Sequence, residues 1–553
     1  MASPWYSRHA RTDHASSTSP FVARAARVAR SAGTDPRAPA PRAVFAALAA
    51  APVPYHRVVS SGRTSIVAAG VVVGLGAVVA ATLGCDGAPP APDLTQEELR
   101  DPKACETCHP DHYREWSGSM HAYAAEDPVF LAMNARGQRE TGGALGDFCV
   151  SCHAPMAVRD GATTDGLNLD GVPPELKGVT CYFCHSVTSV DGAHNNPLAL
   201  ADDGVLRGGF GDPVENTAHL SSYSALHDRT QMESSSLCGS CHDIVTPAGV
   251  HLERTFAEWQ QTVFSKEQGR LTCGECHMEG RNGPAADAPG VKLRRLHSHA
   301  VPGVDLALTD WPEKDAQRAL VQKELDATLA AELCVRGPGA PGATLLVVLD
   351  NVGAGHRWPS GAAQDRRAWV EVKAYSGDDV IYESGVVGDG QPISAAADPD
   401  LWWVRDCLLD GRGDIVHDFW EAAVVHTNLL PGAVTSDPTD PAFYEGHRVR
   451  VYPRPTSSPP NLPVAPDRVS MSVHLLPIGL DVLDDLVESG DLDPAVRAAM
   501  GGFTLASTEL TWTADAATLV YPDQGVEVSC VTAGLETAPS FAKPADELAG
   551  CGP

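Results

Sequence analysis

The stretch CETCH at residues 105–109 is the first of five Cys-x-x-Cys-His sequences in this chain. The other four are CVSCH at 149–153, CYFCH at 181–185, CGSCH at 238–242 and CGECH at 273–277. A chain of 553 residues with 15 cysteines and 21 histidines would contain about 0.015 copies of this motif by chance. Five copies therefore indicate a chemistry that needs this spacing of two thiols and an imidazole.

The motif is the attachment signature of c-type haem, in which both thiols bond to the vinyl groups and the histidine ligates the iron. The attachment residues are Cys105, Cys108, Cys149, Cys152, Cys181, Cys184, Cys238, Cys241, Cys273 and Cys276, and the proximal ligands are His109, His153, His185, His242 and His277. Structural zinc is the alternative, because two Cys-x-x-Cys pairs often share one ion. Five pairs cannot be divided in that way, so the sequence favours five covalently bound haem c groups.

Composition and charge restrict the class of protein. Apolar residues make up 43% of the chain and charged residues 20%, as in globular proteins, and 553 residues predict two or three structural units. A single long apolar run excludes a polytopic membrane protein. Nine arginines and two aspartates give residues 1–64 a charge of +7. Since the whole chain has a net charge of −29, residues 65–553 carry −36. An acidic body disfavours nucleic acid and favours small molecules or basic docking proteins as partners.

Covalent haem attachment takes place outside the cytoplasm, so we expect an export signal. Residues 66–83 are an apolar run of 18 residues that follows Arg57 and Arg63 and precedes Cys85. This arrangement resembles a bacterial lipoprotein signal with Cys85 lipidated, although Thr82 stands where such signals usually carry an aliphatic residue. An uncleaved membrane anchor is the alternative, because 18 residues can span a bilayer. Both interpretations predict a membrane-tethered periplasmic or cell-surface protein of a bacterium.

The chain divides into five parts. We expect an unstructured Arg/Ala/Pro-rich extension at 1–65, the signal or anchor segment at 66–85 and a polar linker at 86–103. A pentahaem cytochrome domain follows at 104–300, and a β-rich domain at 301–553. The predicted fold class is therefore α + β and multidomain.

The first of these domains has little chain for each macrocycle. The first cysteines of successive motifs are 44, 32, 57 and 35 residues apart. The haems themselves must then form much of the hydrophobic core, with short helices and loops around them. The sequence predicts two of these helices, at 110–124 and 252–266.

The second domain has β-type alternation in five runs, at 343–352, 366–376, 379–385, 447–454 and 468–478. These runs, separated by Gly, Pro and Asp, predict an antiparallel β-sandwich, with a helical insert at 479–500. Four further cysteines lie here, namely Cys334, Cys407, Cys530 and Cys551. An oxidising compartment permits disulfides among them in any of three pairings.

Thirteen histidines lie outside the motifs and the N-terminal extension, enough to give every haem a second axial ligand. His121 ends the helix after the first motif, where Met120 is a competing ligand. His219 lies in a Gly/Pro-rich loop before the fourth motif. Both are candidate distal ligands.

Two further candidates lie after the fifth motif. His299 stands shortly before a Pro-Gly turn, and extended chain would point it away from His297, so only one of the two serves a given haem. His356 lies on a Gly-rich turn after a strand, where the backbone can approach a flat cofactor closely. The alternative for His356 is an ordinary turn residue beside Trp358 and Pro359.

Several stretches resemble the multihaem cytochromes of the cytochrome c-552/4 family. They are CETCHPDHYREWSGSMHAYAAEDPVFLAMN, GVTCYFCHSV, SLCGSCHDIVTP, AEWQQTVFSKEQGRLTCGECHM and LRRLHSHAVPGVD, and NVGAGHRWPSGAAQDRRAWVEV is similar to the family's β-rich C-terminal segment. The resemblance covers about residues 104–385. It implies an exported electron carrier with closely stacked, mostly bis-His haems and with His121, His219, His299 and His356 as distal ligands. It implies no catalytic residue, because the family includes both carriers and enzymes.

Three functions are compatible with these features. The first is electron transfer between a membrane donor or other redox proteins and an outer acceptor. The second is a multihaem oxidoreductase acting on a small nitrogen or sulfur compound, which needs one open haem beside acid or base groups. No motif has the Lys-for-His replacement of one nitrite-reducing class. The third is a C-terminal binding module, which an exposed apolar cluster at Leu401, Trp402 and Trp403 would support.

Overall fold

The computed structural model describes residues 92–523, 525–534 and 539–548, all within one compact unit that spans Asp86–Pro553. The predicted extension, the apolar segment with Cys85, and Cys551 lie outside the described residues. Among the helices that are described, none is long and apolar enough to cross a membrane.

The described residues form 14 α-helices, most of them short. They are α1 (Gln96–Arg100), α2 (Lys103–Glu106), α3 (Pro110–Ser117), α4 (Met120–Tyr123), α5 (Pro128–Glu140), α6 (Val150–His153), α7 (Pro155–Arg159), α8 (Cys181–His185), α9 (Ser234–Gly239), α10 (Thr255–Gln261), α11 (Cys273–His277), α12 (Lys314–Leu325), α13 (Leu480–Glu488) and α14 (Pro494–Ala499). Helices α2, α6, α8, α9 and α11 are 4–6 residues long and carry motif cysteines. Helix α1 lies within the predicted linker, so the folded chain begins before the first motif.

Helices α8 and α11 begin in the same way. Thr180 and Thr272 occupy the N-cap positions, and their side-chain oxygens accept hydrogen bonds from the backbone N–H groups of Phe183 and Glu275. Such caps satisfy N–H groups that have no partner within the first helical turn. Each helix ends at its motif histidine, so one turn carries both cysteines and the imidazole.

The predicted helix at 110–124 is two helices, α3 and α4, separated at Gly118. A Cβ atom at Gly118 would lie 2.5 Å from Cβ of Glu313, so a larger residue does not fit at this break. Ser119 then caps α4 by accepting a hydrogen bond from the backbone N–H of Ala122. The break turns the chain, so that His121 belongs to a separate short helix. The second predicted helix, at 252–266, is present as α10 but is shorter.

The region around the motifs contains only small sheets. Its strands are β1 (Val187–Val190), β2 (Leu198–Leu200), β3 (Val205–Gly208), β4 (Leu220–Tyr223), β5 (Gly280–Pro284) and β6 (Leu293–His297). They pair as β1–β2, β3–β4 and β5–β6, and only β3–β4 is parallel. The β5–β6 hairpin was not expected from the sequence, and it leads directly into the segment that carries His299.

The remaining strands lie between residues 329 and 544. They are β7 (Leu329–Arg336), β8 (Thr344–Asn351), β9 (Arg367–Ser376), β10 (Asp379–Ser384), β11 (Trp402–Val404), β12 (Asp406–Leu409), β13 (Ile415–Val416), β14 (Val424–Thr427), β15 (His447–Tyr452), β16 (Arg468–Leu476), β17 (Phe503–Thr504), β18 (Leu510–Thr513), β19 (Leu519–Asp523), β20 (Val526–Ala533) and β21 (Lys543–Pro544). The five predicted strands are β8, β9, β10, β15 and β16, each within two residues of its expected ends. The molecule is thus a mixed α and β protein.

These strands form two six-stranded sheets and one of three strands. One large sheet has the order β10-β9-β16-β17 with β11 and β18 at its sides, and the other has the order β19-β20-β7-β8-β15-β21. The small sheet has the order β13-β12-β14. Leu333 and Leu345 from one large sheet and Val370 and Val473 from the other are fully or almost fully buried in a single hydrophobic core. The strict alternation of burial along β16 shows which of its faces meets that core.

The predicted helical insert at 479–500 is present as α13 and α14, with Asp493 as the N-cap of α14. Leu483 and Leu486 of α13 belong to one buried cluster with Val129 and Ala132 of α5. The insert therefore packs the β-rich part of the chain against the part that carries the motifs.

Of the three possible pairings, the structure contains the Cys334–Cys530 disulfide, which joins the adjacent strands β7 and β20. Cys407 is disulfide-bonded as well. Leu401, Trp402 and Trp403 are at most 7% exposed. The exposed apolar cluster that would have supported a binding module is therefore absent at these residues, because both tryptophans pack into cores.

Candidate haem sites

The ten motif cysteines are free thiols, whereas cysteines elsewhere in the described chain form disulfides. Only one group of three or more Cys, His, Asp or Glu side chains in the described residues has the spacing of a metal site. That group is Glu332 with Cys334 and Cys530, whose sulfurs are already bonded to each other. The motif thiols therefore form no zinc-like cluster within the described chain, which leaves them available for thioether bonds.

Four motif histidines are held by backbone carbonyls through Nδ1. The acceptors are Ala285 O for His109 at 2.7 Å, Ala124 O for His153 at 3.0 Å, Arg207 O for His185 at 2.5 Å and Pro302 O for His277 at 2.8 Å. A carbonyl can only accept, so each Nδ1 carries the proton and Nε2 is free to ligate a metal. This bond also fixes the orientation of the ring, as it does for most metal-ligating histidines.

Four motif histidines face a second histidine from elsewhere in the chain, and this set includes His242 in place of His153. The separations between ring centres are 6.3 Å for His109 and His219, 6.3 Å for His242 and His121, 6.4 Å for His185 and His299, and 6.5 Å for His277 and His356. The structure thus brings together all four distal candidates from the sequence, each with a different motif.

This separation fits an iron held between two imidazoles. A metal–nitrogen bond of about 2.0–2.1 Å, with about 1.1 Å more to the ring centre, puts each centre about 3.2 Å from the metal. Two rings on opposite sides of one iron would then be about 6.4 Å apart. Direct ring stacking would bring the centres closer than this. The residues present therefore fit four bis-His haem sites.

In three of the pairs the second imidazole is positioned by a hydrogen bond of its own. The Nδ1 atoms of His219, His299 and His356 face the carbonyl oxygens of the neighbouring residues Leu220, His297 and Arg357 at 3.2, 3.1 and 2.7 Å. Burial lowers the pKa of His121 and of His356 to about 4, so both are neutral near pH 7 and can offer a lone pair. Of the two alternatives at 297 and 299, the ring that faces a motif histidine is His299.

The loop before the third motif fixes His121. The carbonyl oxygen of His121 accepts a hydrogen bond of 2.8 Å from the backbone N–H of Val179. Gly178, at φ +70°, approaches so closely that a Cβ there would lie 2.6 Å from that oxygen. The competing residue Met120 instead lines a small cavity together with Asp127 and Asp305.

The turn that carries His356 is fastened to helix α10. Glu258 accepts a hydrogen bond of 2.6 Å from Ser360 Oγ and another of 3.3 Å from the backbone N–H of Arg357. Thr262 Oγ1 donates to the carbonyl of Gly355 at 3.1 Å. A histidine of the β-rich region is thereby held against the fifth motif. Sequence reasoning missed Glu258, because the contact joins residues about a hundred positions apart.

The second motif differs from the other four. In the described chain no histidine ring faces His153 at the separation found elsewhere, and its ring contact is Phe130, stacked at 3.9 Å and 4°. The carboxyl of Glu253 interacts electrostatically with the Cys152 thiol. Burial raises the pKa of Glu253 to about 7, against the opposing effect of the Arg366 charge and with a further increase from nearby aspartates.

A sequence model of the family described as cytochrome c554 and c-prime matches residues 104–186. The chain is a multihaem c-type cytochrome. Its fold is also similar to the crystal structure of a penta-heme cytochrome c552 from Thermochromatium tepidum, with a TM-score of 0.51 and 20% identity over 75% of this chain and 98% of that one. No curated protein sequence matches the cytochrome. Covalently bound haem c and redox-protein partners follow from this identification.

Thiols of different motifs meet inside the cytochrome. The thiols of Cys105 and Cys181, of Cys152 and Cys241, and of Cys238 and Cys273 lie near each other and influence each other's pKa. Cys184 of the third motif also interacts electrostatically with both cysteines of the fourth motif. These contacts bring the five motifs into one connected group.

Two imidazoles of the cytochrome that the sequence did not single out lie beside the facing pairs. His112 has its ring centre 4.8 Å from that of His299 and 6.0 Å from that of His109, nearly perpendicular to both. His227 stacks 5.5 Å from His185, and its Nε2 donates to Cys184 O at 2.7 Å. The position of His112, three residues after His109 on a helical stretch, was the available signal.

Proposed function

We propose that the chain is an exported pentahaem cytochrome that passes electrons between redox partners through closely spaced, mostly bis-His haems. Bound haem supplies a one-electron couple between ferric and ferrous iron. The observation that carries the proposal is the set of four facing imidazole pairs, at 6.3–6.5 Å between ring centres.

The residues around these pairs keep the rings in place. In three of the four pairs a backbone carbonyl faces the Nδ1 atom of each imidazole, so both rings of those pairs keep one orientation whatever the charge of the metal. Two nitrogen ligands leave no coordination position for a substrate, and they favour a lower potential than a Met/His pair. Closed sites of this kind suit electron transfer rather than bond chemistry.

The contacts between motif thiols support a continuous path. The first motif meets the third, the fourth meets the second and the fifth, and the third lies beside the fourth. We propose that electrons cross the molecule along a chain of haems at the first, third, fourth and fifth motifs, with the first and fifth at its two ends and the second attached at the fourth. The β-rich part, in two facing layers of a sandwich, supplies His356 to this path.

Export and tethering belong to the same proposal. Thioether attachment takes place outside the cytoplasm, and the disulfide between Cys334 and Cys530 is the kind of bond that persists in an oxidising compartment. Lipidated Cys85, or an uncleaved anchor at 66–85, would hold the protein at a membrane, with a membrane donor or other redox proteins as partners.

A second candidate function rests on the second motif. His153 lacks a facing histidine within the described chain, and Glu253, whose pKa is raised to about 7, interacts electrostatically with the Cys152 thiol of that motif. An iron with one open position beside a group that can give and take a proton at neutral pH is what a small-molecule oxidoreductase needs. The substrate class would be a small nitrogen or sulfur compound.

Low-temperature EPR of the ferric protein, with a chemical haem count on the same sample, tests both functions. We expect five haems, of which four are low-spin from the facing pairs and the one at His153 is high-spin. Fewer than four low-spin haems would contradict the electron-transfer proposal. Five low-spin haems would exclude the oxidoreductase, whereas a high-spin haem that turns over nitrite, hydroxylamine or sulfite with a chemical reductant would establish it.

A further inference from the structure

His277 differs from the other motif histidines in its hydrogen bonds. Its Nδ1 faces the carbonyl oxygen of Pro302 at 2.8 Å and also a carboxylate oxygen of Glu324 at 3.2 Å. Within the described chain, no other motif histidine forms an ion pair with a carboxylate. Among the motif histidines of the described chain, His277 is thus the one whose Nδ1 atom contacts a carboxylate.

Helix α12 is anchored by residues that precede and follow Glu324 in the sequence. Val321 and Leu325 are buried in the large core of the β-rich region at 1% and 3% exposure. Between them, Gln322 Nε2 donates to Thr504 O at 2.8 Å. Glu324 itself is 29% exposed and His277 34%. The backbone of Glu324 is therefore fixed by packing, while its partly exposed carboxylate contacts His277 of the fifth motif.

We propose that Glu324 is a positioning residue that lowers the reduction potential of the haem at the fifth motif through His277. A carboxylate that accepts the Nδ1 proton of a ligand histidine makes the opposite nitrogen a stronger donor. A stronger donor and a nearby negative charge both favour ferric over ferrous iron. The inference rests on the proposed function, because it requires His277 to be an axial ligand.

The position of this site gives the lowered potential a role. Among the ten motif cysteines, Cys276 is the exposed one, so the fifth site lies at the surface. Its other cysteine, Cys273, contacts Cys238 of the fourth motif. Electrons move spontaneously toward higher potential, so a low-potential surface site favours entry from a donor protein at the fifth motif and passage inward to the fourth.

Glu324→Gln in the full holoprotein tests the proposal by redox titration followed by EPR. The amide keeps the size of the side chain and removes its charge. We expect the reduction equilibrium constant of one haem to rise about tenfold, which is about 59 mV for a one-electron couple. Its low-spin EPR signal should shift as well. The haem is assigned by its absence in a Cys273→Ala, Cys276→Ala variant.

Glu279→Gln is the matched control. Glu279 lies two residues after His277 and pairs with Lys323 at 2.7 Å, so its loss removes the same charge near the same motif without touching the ring. A shift in Glu324→Gln no larger than that in Glu279→Gln would overturn the proposal. Glu324→Asp, which keeps the charge, provides a second variant if the amide does not fold, and its potential should stay below that of Glu324→Ala. A haem count below five in the unaltered protein would instead contradict the proposed function.

Discussion

The haem-motif region at 104–300 and the β-rich region at 301–548 bury different kinds of groups. In the β-rich region one large cluster of aliphatic and aromatic side chains joins both large sheets. The main cluster of the haem-motif region is smaller, and motif thiols such as Cys149 and Cys184 border it without being fully buried. Imidazole pairs from distant parts of the chain lie among its short helices.

This difference indicates where each region obtains its stability. The strands of the β-rich region cover one another and need no further group to exclude water. The helices that carry the motifs are mostly too short to be stable by themselves. Their thiols and imidazoles are arranged to be tied to one another by covalently bound macrocycles. We therefore expect haem attachment to decide the stability of the first region and apolar packing that of the second.

Removing one attachment site in the centre of the haem-motif region should have the largest effect. In Cys181→Ala with Cys184→Ala we expect the loss of one haem and a large loss of stability, because Tyr182 and Phe183 of α8 are buried beside it. Intact mass, a haem count and urea unfolding measure both. The matched control is the same pair of changes at Cys105, on α2, and Cys108, just after it, because α2 has no buried residue. An unchanged haem count would contradict the assignment of the motif.

His356→Ala tests the point where the two regions meet. The β-rich region would no longer supply a ring opposite His277, now 6.5 Å away, so we expect one low-spin EPR signal to become high-spin. His474→Ala is the control, because that histidine lies in the same region and bonds to Ser472 and Thr504 instead. An unaltered EPR spectrum in His356→Ala would show that His356 is a turn residue only.

The sequence predicts the β-rich region through local patterns. Alternation along β9 and β16 places their ends within two residues, because one face of each strand is more deeply buried than the other. The Asp-Pro start of α14 is equally local, since Asp493 caps the helix that follows it. The sequence patterns missed the β5–β6 hairpin and helix α12, because neither segment has a strong periodic pattern of apolar residues.

The candidate site is predictable in part for a different reason. The motifs carry their own chemistry, so the attachment residues need no knowledge of the fold. The pairing of four motifs with His121, His219, His299 or His356 depends on contacts between residues 79–121 positions apart. No local pattern specifies these contacts. Glu324 was missed for the same reason, because nothing near it in the sequence points to His277.

Trp402→Ala should damage the second region without changing the first. Trp402 is 1% exposed in the large core, and loss of a buried tryptophan costs about 3–5 kcal/mol. We expect the free energy of unfolding in urea to fall by about that amount, while the haem count and EPR spectrum stay the same. Val380→Ala, at a side chain 50% exposed on β10, should change neither. A loss of haem in Trp402→Ala would show that the regions depend on each other.

Glu332 on β7 is an acidic side chain that the second region buries completely. Its side chain is fully buried beside the Cys334–Cys530 disulfide, and neither carboxyl oxygen has a hydrogen-bond partner in the described residues. Burial raises the pKa of Glu332 from its ordinary value of 4.5 to about 8. The carboxyl is therefore protonated in the folded chain near neutral pH, which avoids a buried charge.

The raised pKa makes stability depend on pH in a definite direction. Between about pH 5 and pH 8 the folded chain keeps a proton on Glu332 that the unfolded chain has lost, so the free energy of unfolding falls by about 1 kcal/mol per pH unit as the pH rises. Glu332→Gln should remove this contribution and be more stable than the unaltered protein at pH 8. Urea unfolding at pH 5, 6.5 and 8 measures it, with the exposed Glu383→Gln as control. Equal slopes in all three proteins would mean that Glu332 does not stay protonated in the fold.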